Sequence, residues 1–185
     1  MFSVLIANFN NARYLETALQ SVFSQTSQDY EVGLVDDGST DNSCDIAQAY
    51  SDKDCRVQLL RNSCNRGVGY TKKRCVEAAV GDVCGFLDPD DALLPDALDA
   101  MMKAHADPEI GVVYSNQVNC DQALKPTGRI MERILPEGAS LLESGGSFTH
   151  FVSFKKKAYS LTDGVAEEFK KAVDVDLYLK LEEVA

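Results

Sequence analysis

Two carboxylates one residue apart, Asp88 and Asp90, close the apolar run Val83-Cys84-Gly85-Phe86-Leu87. A pair delivered in this way can approach one hard cation and leave its other positions to phosphate oxygens and water, which suits Mg²⁺ or Mn²⁺. Pro89 stiffens the turn between them and restricts Asp88, while Asp91 extends the cluster. A solvated acidic turn at the head of a helix would produce the same string, so the cluster alone leaves both readings open. A second group, Asp36-Asp37-Gly38-Ser39, also follows an apolar run. An aspartate there can accept hydrogen bonds from a base N–H or a ribose hydroxyl, and Gly38 permits close backbone approach or positive φ. An ordinary β-turn leading into a capped helix is the competing reading.

These groups need elements to carry them. Residues 2–7, 30–35, 57–60, 83–87 and 110–114 read as short buried strands. Helical spacing separates them: Leu15, Leu19, Val22 and Phe23 in one segment, Ile46, Ala47 and Tyr50 in a second capped by Asp41, then a third running to about residue 80. Pro95 suits the first turn of a fourth helix carrying Leu98, Met101 and Met102. The alternation predicts an α/β fold with a mostly parallel central sheet and helices on both faces. In such sheets ligands bind beyond the carboxyl ends of strands, where Asn8-Phe9-Asn10, Asp36-Asp37-Gly38 and residues 88–91 all fall. The pattern weakens over residues 117–146, where loops and short strands are expected. Residues 148–154 look strand-like, and residues 166–184 read as one or two helices bearing Phe169, Val173, Leu177 and Leu181.

The 185 residues suffice for one globular unit with a sizeable core. With 18 basic residues against 29 acidic ones, the net charge of −11 argues against a nucleic-acid partner, which calls for a basic surface. A polyphosphate ligand would meet general repulsion, and a cation held by carboxylates is the local remedy. Six cysteines form no Cys-x-x-Cys pair and are expected to be reduced and mostly buried. The opening residues lack the basic start and length of a signal peptide, and no apolar run approaches the ~20 residues of a membrane span. The expectation is a cytoplasmic protein, at most at the inner face of the cytoplasmic membrane; the basic run Lys155-Lys156-Lys157 reads first as a solvated turn, with phosphate steering or contact with an anionic membrane surface as the alternatives.

Taken together, Val4-Leu5-Ile6-Ala7-Asn8-Phe9-Asn10, Ser21-Val22-Phe23-Ser24-Gln25-Thr26, Val35-Asp36-Asp37-Gly38-Ser39-Thr40-Asp41, Asn65-Arg66-Gly67-Val68 and Phe86-Leu87-Asp88-Pro89-Asp90-Asp91 resemble the family 2 glycosyltransferases in content and order. The resemblance implies a GT-A fold and inverting transfer of a sugar from a nucleotide-diphosphate donor, with uridine as the expected base, to a hydroxyl acceptor on a saccharide or lipid-linked saccharide. Residues 1–115 would form the nucleotide-sugar half, and residues 116–185 an acceptor-side half that continues past the end of this sequence. By resemblance, Ala7 and Phe9 border the base, Asp37 bonds it with Asp36 alongside, and Lys72 lies near the phosphates. Asp88 lies toward ribose and metal-bound water, and Asp90 is the main protein ligand of Mn²⁺ or Mg²⁺. Asp91 and His150 are the candidates for contact with acceptor or phosphate. The family's general base corresponds to Asp174 in Asp174-Val175-Asp176-Leu177. Residues two apart on a helix point about 200° from each other, so Asp174 and Asp176 cannot both face one cleft. Phe9 stands for a frequent tyrosine, Ala7 for a commoner threonine or proline, Lys72-Lys73 for an arginine-asparagine pair, and Val173 for a glutamate.

Two other function classes remain to be separated. A non-catalytic nucleotide-sugar-binding domain would keep the fold and lose the transfer. A dinucleotide oxidoreductase is hinted at by Gly67-Val68-Gly69, but these glycines do not follow the first strand.

Overall fold

A computed structural model describes residues 1–131, 140 and 151–184 of the chain. Its centre is built from parallel strands β1 (Phe2–Asn8), β2 (Tyr30–Asp36), β3 (Val57–Arg61) and β4 (Val83–Phe86). β1 is buried almost throughout, as expected for a strand covered on both faces. Phe2, Val4 and Ile6 pack with Leu15, Leu19 and Val22 of α1 (Ala12–Phe23), whereas Leu5 belongs to the cluster on the opposite face. The period-2 alternation of side chains thus feeds two cores from one strand.

On the first face lie α1, α2 (Ser43–Lys53) and α4 (Ala97–His105). On the second, α3 (Val68–Ala78) and α6 (Val173–Glu182) pack through Cys75, Val76, Leu177 and Leu181. Leu177 and Leu181 are fully buried. Each such leucine contributes about 1.5–3 kcal/mol, enough to fix α6 against the sheet. Asp174, in the first turn of α6, is held in place by that packing.

The six-stranded sheet has the order β3-β2-β1-β4-β8-β5, completed by β5 (Val112–Tyr114) and β8 (Val152–Lys155). A hairpin of β6 (Gln117–Cys120) and β7 (Pro126–Met131) forms a separate ribbon, and the single-turn α5 (Lys156–Tyr159) follows β8. Register brings the polar strand ends level: Asn8 pairs with Asp36, and Asp36 with Arg61. Leu5 pairs with Phe86, so residues 88–91 emerge at the same edge.

The mostly parallel α/β architecture agrees with the sequence reading, and four details differ. β8 runs antiparallel between β4 and β5, a placement that depends on long-range pairing. The last helix begins only at Val173, after Ala172 adopts a left-handed φ of 55°, and Phe169 lies outside it, 41% exposed. Of the six cysteines only Cys75 and Cys84 are buried; Cys55 and Cys64 are exposed in loops, and Cys120 is exposed at the end of β6, outside the central sheet. Pro95 precedes α4 by two residues, in a turn closed by the Ala97 N–H donating to the Leu94 carbonyl. No helix among the described residues is long and apolar enough to cross a membrane.

Candidate active site

Asp36, the last residue of β2, and Asp37, which follows it, are both buried. The Asp36 carboxylate accepts four bonds: from Asn8 Nδ2 at 2.8 Å, Ser39 Oγ at 2.6 Å, the Ser39 backbone N–H at 3.0 Å and Cys44 Sγ at 3.1 Å. Burial by itself would raise its pKa, but the bonds from Ser39, Cys44 and Asn8 outweigh it and hold the carboxyl below the ordinary aspartate value. Burial, then the nearby Asp36, pushes the Cys44 thiol up to about 11, so it remains a donor at neutral pH. Asp37 faces the other way. It accepts from Asn62 Nδ2 at 2.6 Å, the Arg66 N–H at 2.8 Å and the Gly67 N–H at 2.9 Å. A carboxylate offers about four acceptor positions. Asp36 has filled its complement, and Asp37 retains capacity for one more donor, such as a base N–H.

The segment after β1 is stitched to the same turn. The Asn10 N–H donates to Ser39 Oγ at 2.9 Å, and Asn10 Oδ1 accepts from the Thr40 N–H at 2.8 Å. Asn10 has a φ of 55°, a conformation asparagine tolerates better than most residues. Asp41 accepts from the N–H groups of Ala12 and Ser43, both at 2.9 Å, so one carboxylate serves the starts of α1 and α2. This network leaves Ala7 half-buried at the edge and the Phe9 ring 41% exposed, offering an aromatic face to a planar ligand.

At the end of β4, Asp88 is half-buried, whereas Asp90 and Asp91 are exposed. The Asp91 N–H donates to the Asp88 carbonyl at 3.0 Å, which closes the turn around Pro89. Lys72 reaches this point from α3. Its ammonium lies 2.5 Å from Asp174 Oδ1, 3.4 Å from Asp88 Oδ1 and 4.8 Å from the centre of the Phe86 ring. Burial disfavours the charge, but Asp88 and Asp174 more than compensate and raise the Lys72 pKa above the usual lysine value. Asp176 turns away and pairs with Lys180 at 2.7 Å. The structure therefore brings Lys72, Asp88 and Asp174 together, with Asp90 and Asp91 on the same turn. His150 lies outside the described residues.

Residues 3–164 match the family described as Glycosyl transferase family 2. The chain belongs to that family. Among similar glycosyltransferases, a chondroitin synthase of Pasteurella multocida (strain Pm70) is 33% identical over 187 residues, which is all of this chain and 19% of that protein. A chondroitin synthase of Escherichia coli is 32% identical over 188 residues, again the whole chain and 27% of the relative. The chain thus spans about a fifth to a quarter of the length of these curated relatives. Among solved structures, residues 1–349 of TarS from S. aureus superpose with a TM-score of 0.81 at 21% identity, covering 99% of this chain and 55% of that one. The mannosyltransferase PcManGT from Pyrobaculum calidifontis, solved with GDP-Man and Mn²⁺, gives 0.74 at 20% identity, covering 97% and 51%. These likenesses establish the GT-A glycosyltransferase fold.

Sequence reasoning passed over some of the residues that shape this family 2 site. Asn62, at the end of β3, is buried; it orients Asp37 and accepts a bond from Arg74 Nη1. The strand-end rule that selected Asn8, Asp36 and Asp88 would have found it. Tyr178 was also missed. Its ring is 2% exposed, and its hydroxyl has no hydrogen-bond partner among the described residues. Its signal was the i, i+4 spacing from Asp174 on one helix face.

Proposed function

We propose that this chain is the donor-binding and catalytic unit of an inverting glycosyltransferase that moves a sugar from a uridine-diphosphate donor to a hydroxyl of a saccharide or lipid-linked saccharide. The observation that carries the reading is the meeting of Asp174 with Lys72 and Asp88 at the carboxyl edge of the sheet, beside the open Asp90. In this reading Phe9 and Ala7 flank the base, and Asp37 accepts its N–H with the remaining lone pair. Asp36 supports that turn, and Asp88 lies toward the ribose. Asp174 takes the proton from the acceptor hydroxyl as its oxygen attacks the anomeric carbon and the nucleoside diphosphate departs. Asp91 orients the acceptor or its loop, and His150 is a further candidate contact to acceptor or phosphate.

The donor set at the end of β4 fits a divalent cation. Among the described residues no group of three His, Cys, Asp or Glu side chains could hold an ion. Two hard carboxylates, Asp90 and Asp88, suit Mn²⁺ or Mg²⁺ when phosphate oxygens and water complete the coordination. When bound, the cation would act as a Lewis acid on the leaving diphosphate. The relatives named chondroitin and hyaluronan synthases, and TarS solved with UDP and with UDP-GlcNAc, support polysaccharide or glycoconjugate synthesis from a UDP-sugar. Such a reaction would draw on donors at the cytoplasmic side of a membrane.

A panel of nucleotide sugars with Mn²⁺ tests the reading by calorimetry and donor turnover. Asp90→Ala is expected to abolish metal-dependent donor binding, and Asp174→Ala to keep binding while losing transfer. Binding without turnover in the unaltered chain would instead make it a nucleotide-sugar-binding domain. Absence of both would sink the proposal.

A further inference from the structure

Lys72 is the feature whose geometry says more than a general attraction to phosphate. Its side chain is 5% exposed, against 24% for Asp174 and 32% for Asp88. The cation therefore forms the floor of the site and the two carboxylates form its rim. A lysine serving as a direct phosphate ligand would present its ammonium at the opening. Here the ammonium sits below two acids, in line with the Phe86 ring. Its contact with Asp174 is the shorter of the two, 2.5 Å against 3.4 Å, and spans 102 residues of sequence. The three groups come from α3, the turn after β4 and the first turn of α6. Tyr178 is buried near both acids, and in such low-dielectric surroundings charge pairs are strong and specific in geometry.

We propose that Lys72 is a positioning residue: it ties Asp174, which accepts the proton, to Asp88 on the donor side, so that α6 is held in register with the bound sugar. This inference rests on the assignment of Asp174 given above. The ammonium itself touches neither donor nor acceptor; it sets the distance and direction of the carboxylate that does. Arginine keeps the charge and enough length to bridge both acids. Methionine keeps the shape and removes the bridge.

The test compares the unaltered chain with Lys72→Met, Lys72→Arg, Asp174→Asn and the Lys72→Met/Asp174→Asn double variant. The substrate is whichever UDP-sugar turns over with Mn²⁺, and water serves as acceptor. Lys72→Met is expected to lower kcat about a hundredfold, the lower end of what a positioned base contributes. Its donor KM stays within about threefold, because ground-state binding is not what the bridge provides. Lys72→Arg restores most of kcat. In the Asp174→Asn background Lys72→Met costs nothing further, since residues acting as one unit are not additive. Thermal melts of the same five proteins supply a readout without turnover: the double variant should melt close to the less stable single variant. A raised donor KM with unchanged kcat in Lys72→Met would overturn the inference, as would additive losses in the double variant or failure of Lys72→Arg to rescue a folded protein. Normal turnover by Asp174→Asn would instead remove the base assignment itself. That outcome is distinct, because it concerns a variant with Lys72 intact.

Discussion

Two acidic clusters stand at strand ends on the same edge of one sheet, and they use their carboxylates in opposite ways. At the end of β2, Asp36 and Asp37 are 1% and 3% exposed and between them accept seven hydrogen bonds, from β1, α2, their own turn and the loop before α3. Past β4, Asp90 and Asp91 are exposed, and Asp88 shares a buried ammonium with an acid from a distant helix. The first cluster organises the fold. Through Asn10, Ser39 and Asp41 it fixes the starts of α1 and α2, and through Asn62 and Gly67 it fixes the loop before α3. The second leaves Asp90 and Asp91 exposed, which the proposed donor and cation site requires. Residue type and position along the strand are alike in both, and it is burial that tells them apart.

The sharpest way to break this comparison is to delete one carboxylate from each cluster. Asp37→Ala removes the acceptor of the Arg66 N–H and the shorter of two acceptors of the Gly67 N–H and the Asn62 amide, which keep Asn65 Oδ1 at 3.1 Å and Thr71 Oγ1 at 3.4 Å. Of these donors only Asn62 is buried, and at about 1–3 kcal/mol for a buried group that loses its main partner the expected loss in urea or thermal unfolding is roughly 1–3 kcal/mol. Asp90→Ala, at an exposed turn, should change stability by no more than about 0.5 kcal/mol while removing metal-dependent donor binding. Equal destabilisation by the two variants would erase the distinction.

Gly38 tests the same cluster through the backbone. Its φ is +73°, and a Cβ there would lie 2.7 Å from the Cys64 carbonyl carbon. Both the dihedral and the close approach to the loop before α3 require glycine. Gly38→Ala is therefore expected to cost about 1–3 kcal/mol, the range for a strained backbone position, measured by the same unfolding experiment. A neutral result would mean that the turn after β2 can move away from that loop, weakening its role as an organiser.

Much of this was legible in the sequence, and the part that was not has a physical reason. The strands that carry Asn8, Asp36 and Asp88 show as short apolar runs because a strand buried on both faces has no other way to be built. The turns after them show as Asn, Asp and Gly because those residues tolerate the required dihedrals and supply local acceptors. Local rules of this kind cannot see pairing at a distance. The insertion of β8 between β4 and β5 and the bridge from Lys72 to Asp174 both join segments far apart in sequence. Helical geometry did separate Asp174 from Asp176, and the structure sends one to Lys72 and the other to Lys180. It did not reveal that Asp36 would be saturated and Asp37 nearly so, because Cys44 reaches Asp36 from α2 while Asn62 and Gly67 reach Asp37 from the loop before α3.

Acid titration probes the first cluster with a smaller effect. The Asp36 pKa is lowered in the folded chain, since the hydrogen bonds from Ser39, Cys44 and Asn8 outweigh burial. An unfolded aspartate titrates near about 3.9. The unfolded chain therefore takes up this proton first as pH falls. The stabilising contribution is complete above the unfolded pKa and is lost as pH drops through the folded one. Thermal melts across this acid range should show a decline that is shallower in Asp36→Asn, whose starting stability at neutral pH is lower. An unchanged acid slope in that variant would show that Asp36 is not the group being titrated.

The smallest expected effect bears on the second cluster. Tyr178 is 2% exposed, its hydroxyl has no hydrogen-bond partner among the described residues, and burial followed by the charges of Asp174 and Asp88 pushes its pKa well above the usual tyrosine range. It is thus a neutral hydroxyl under an ion pair. A buried donor with no acceptor costs free energy, and phenylalanine keeps the buried ring. Tyr178→Phe should leave stability unchanged or raise it by up to about 1 kcal/mol, with kcat and donor KM unaltered. A loss of stability, or a fall in kcat at constant KM, would show that the hydroxyl serves Asp174 or Asp88 during turnover. The second cluster would then use its polar groups as completely as the first, and the contrast between the two strand ends would be one of timing rather than of purpose.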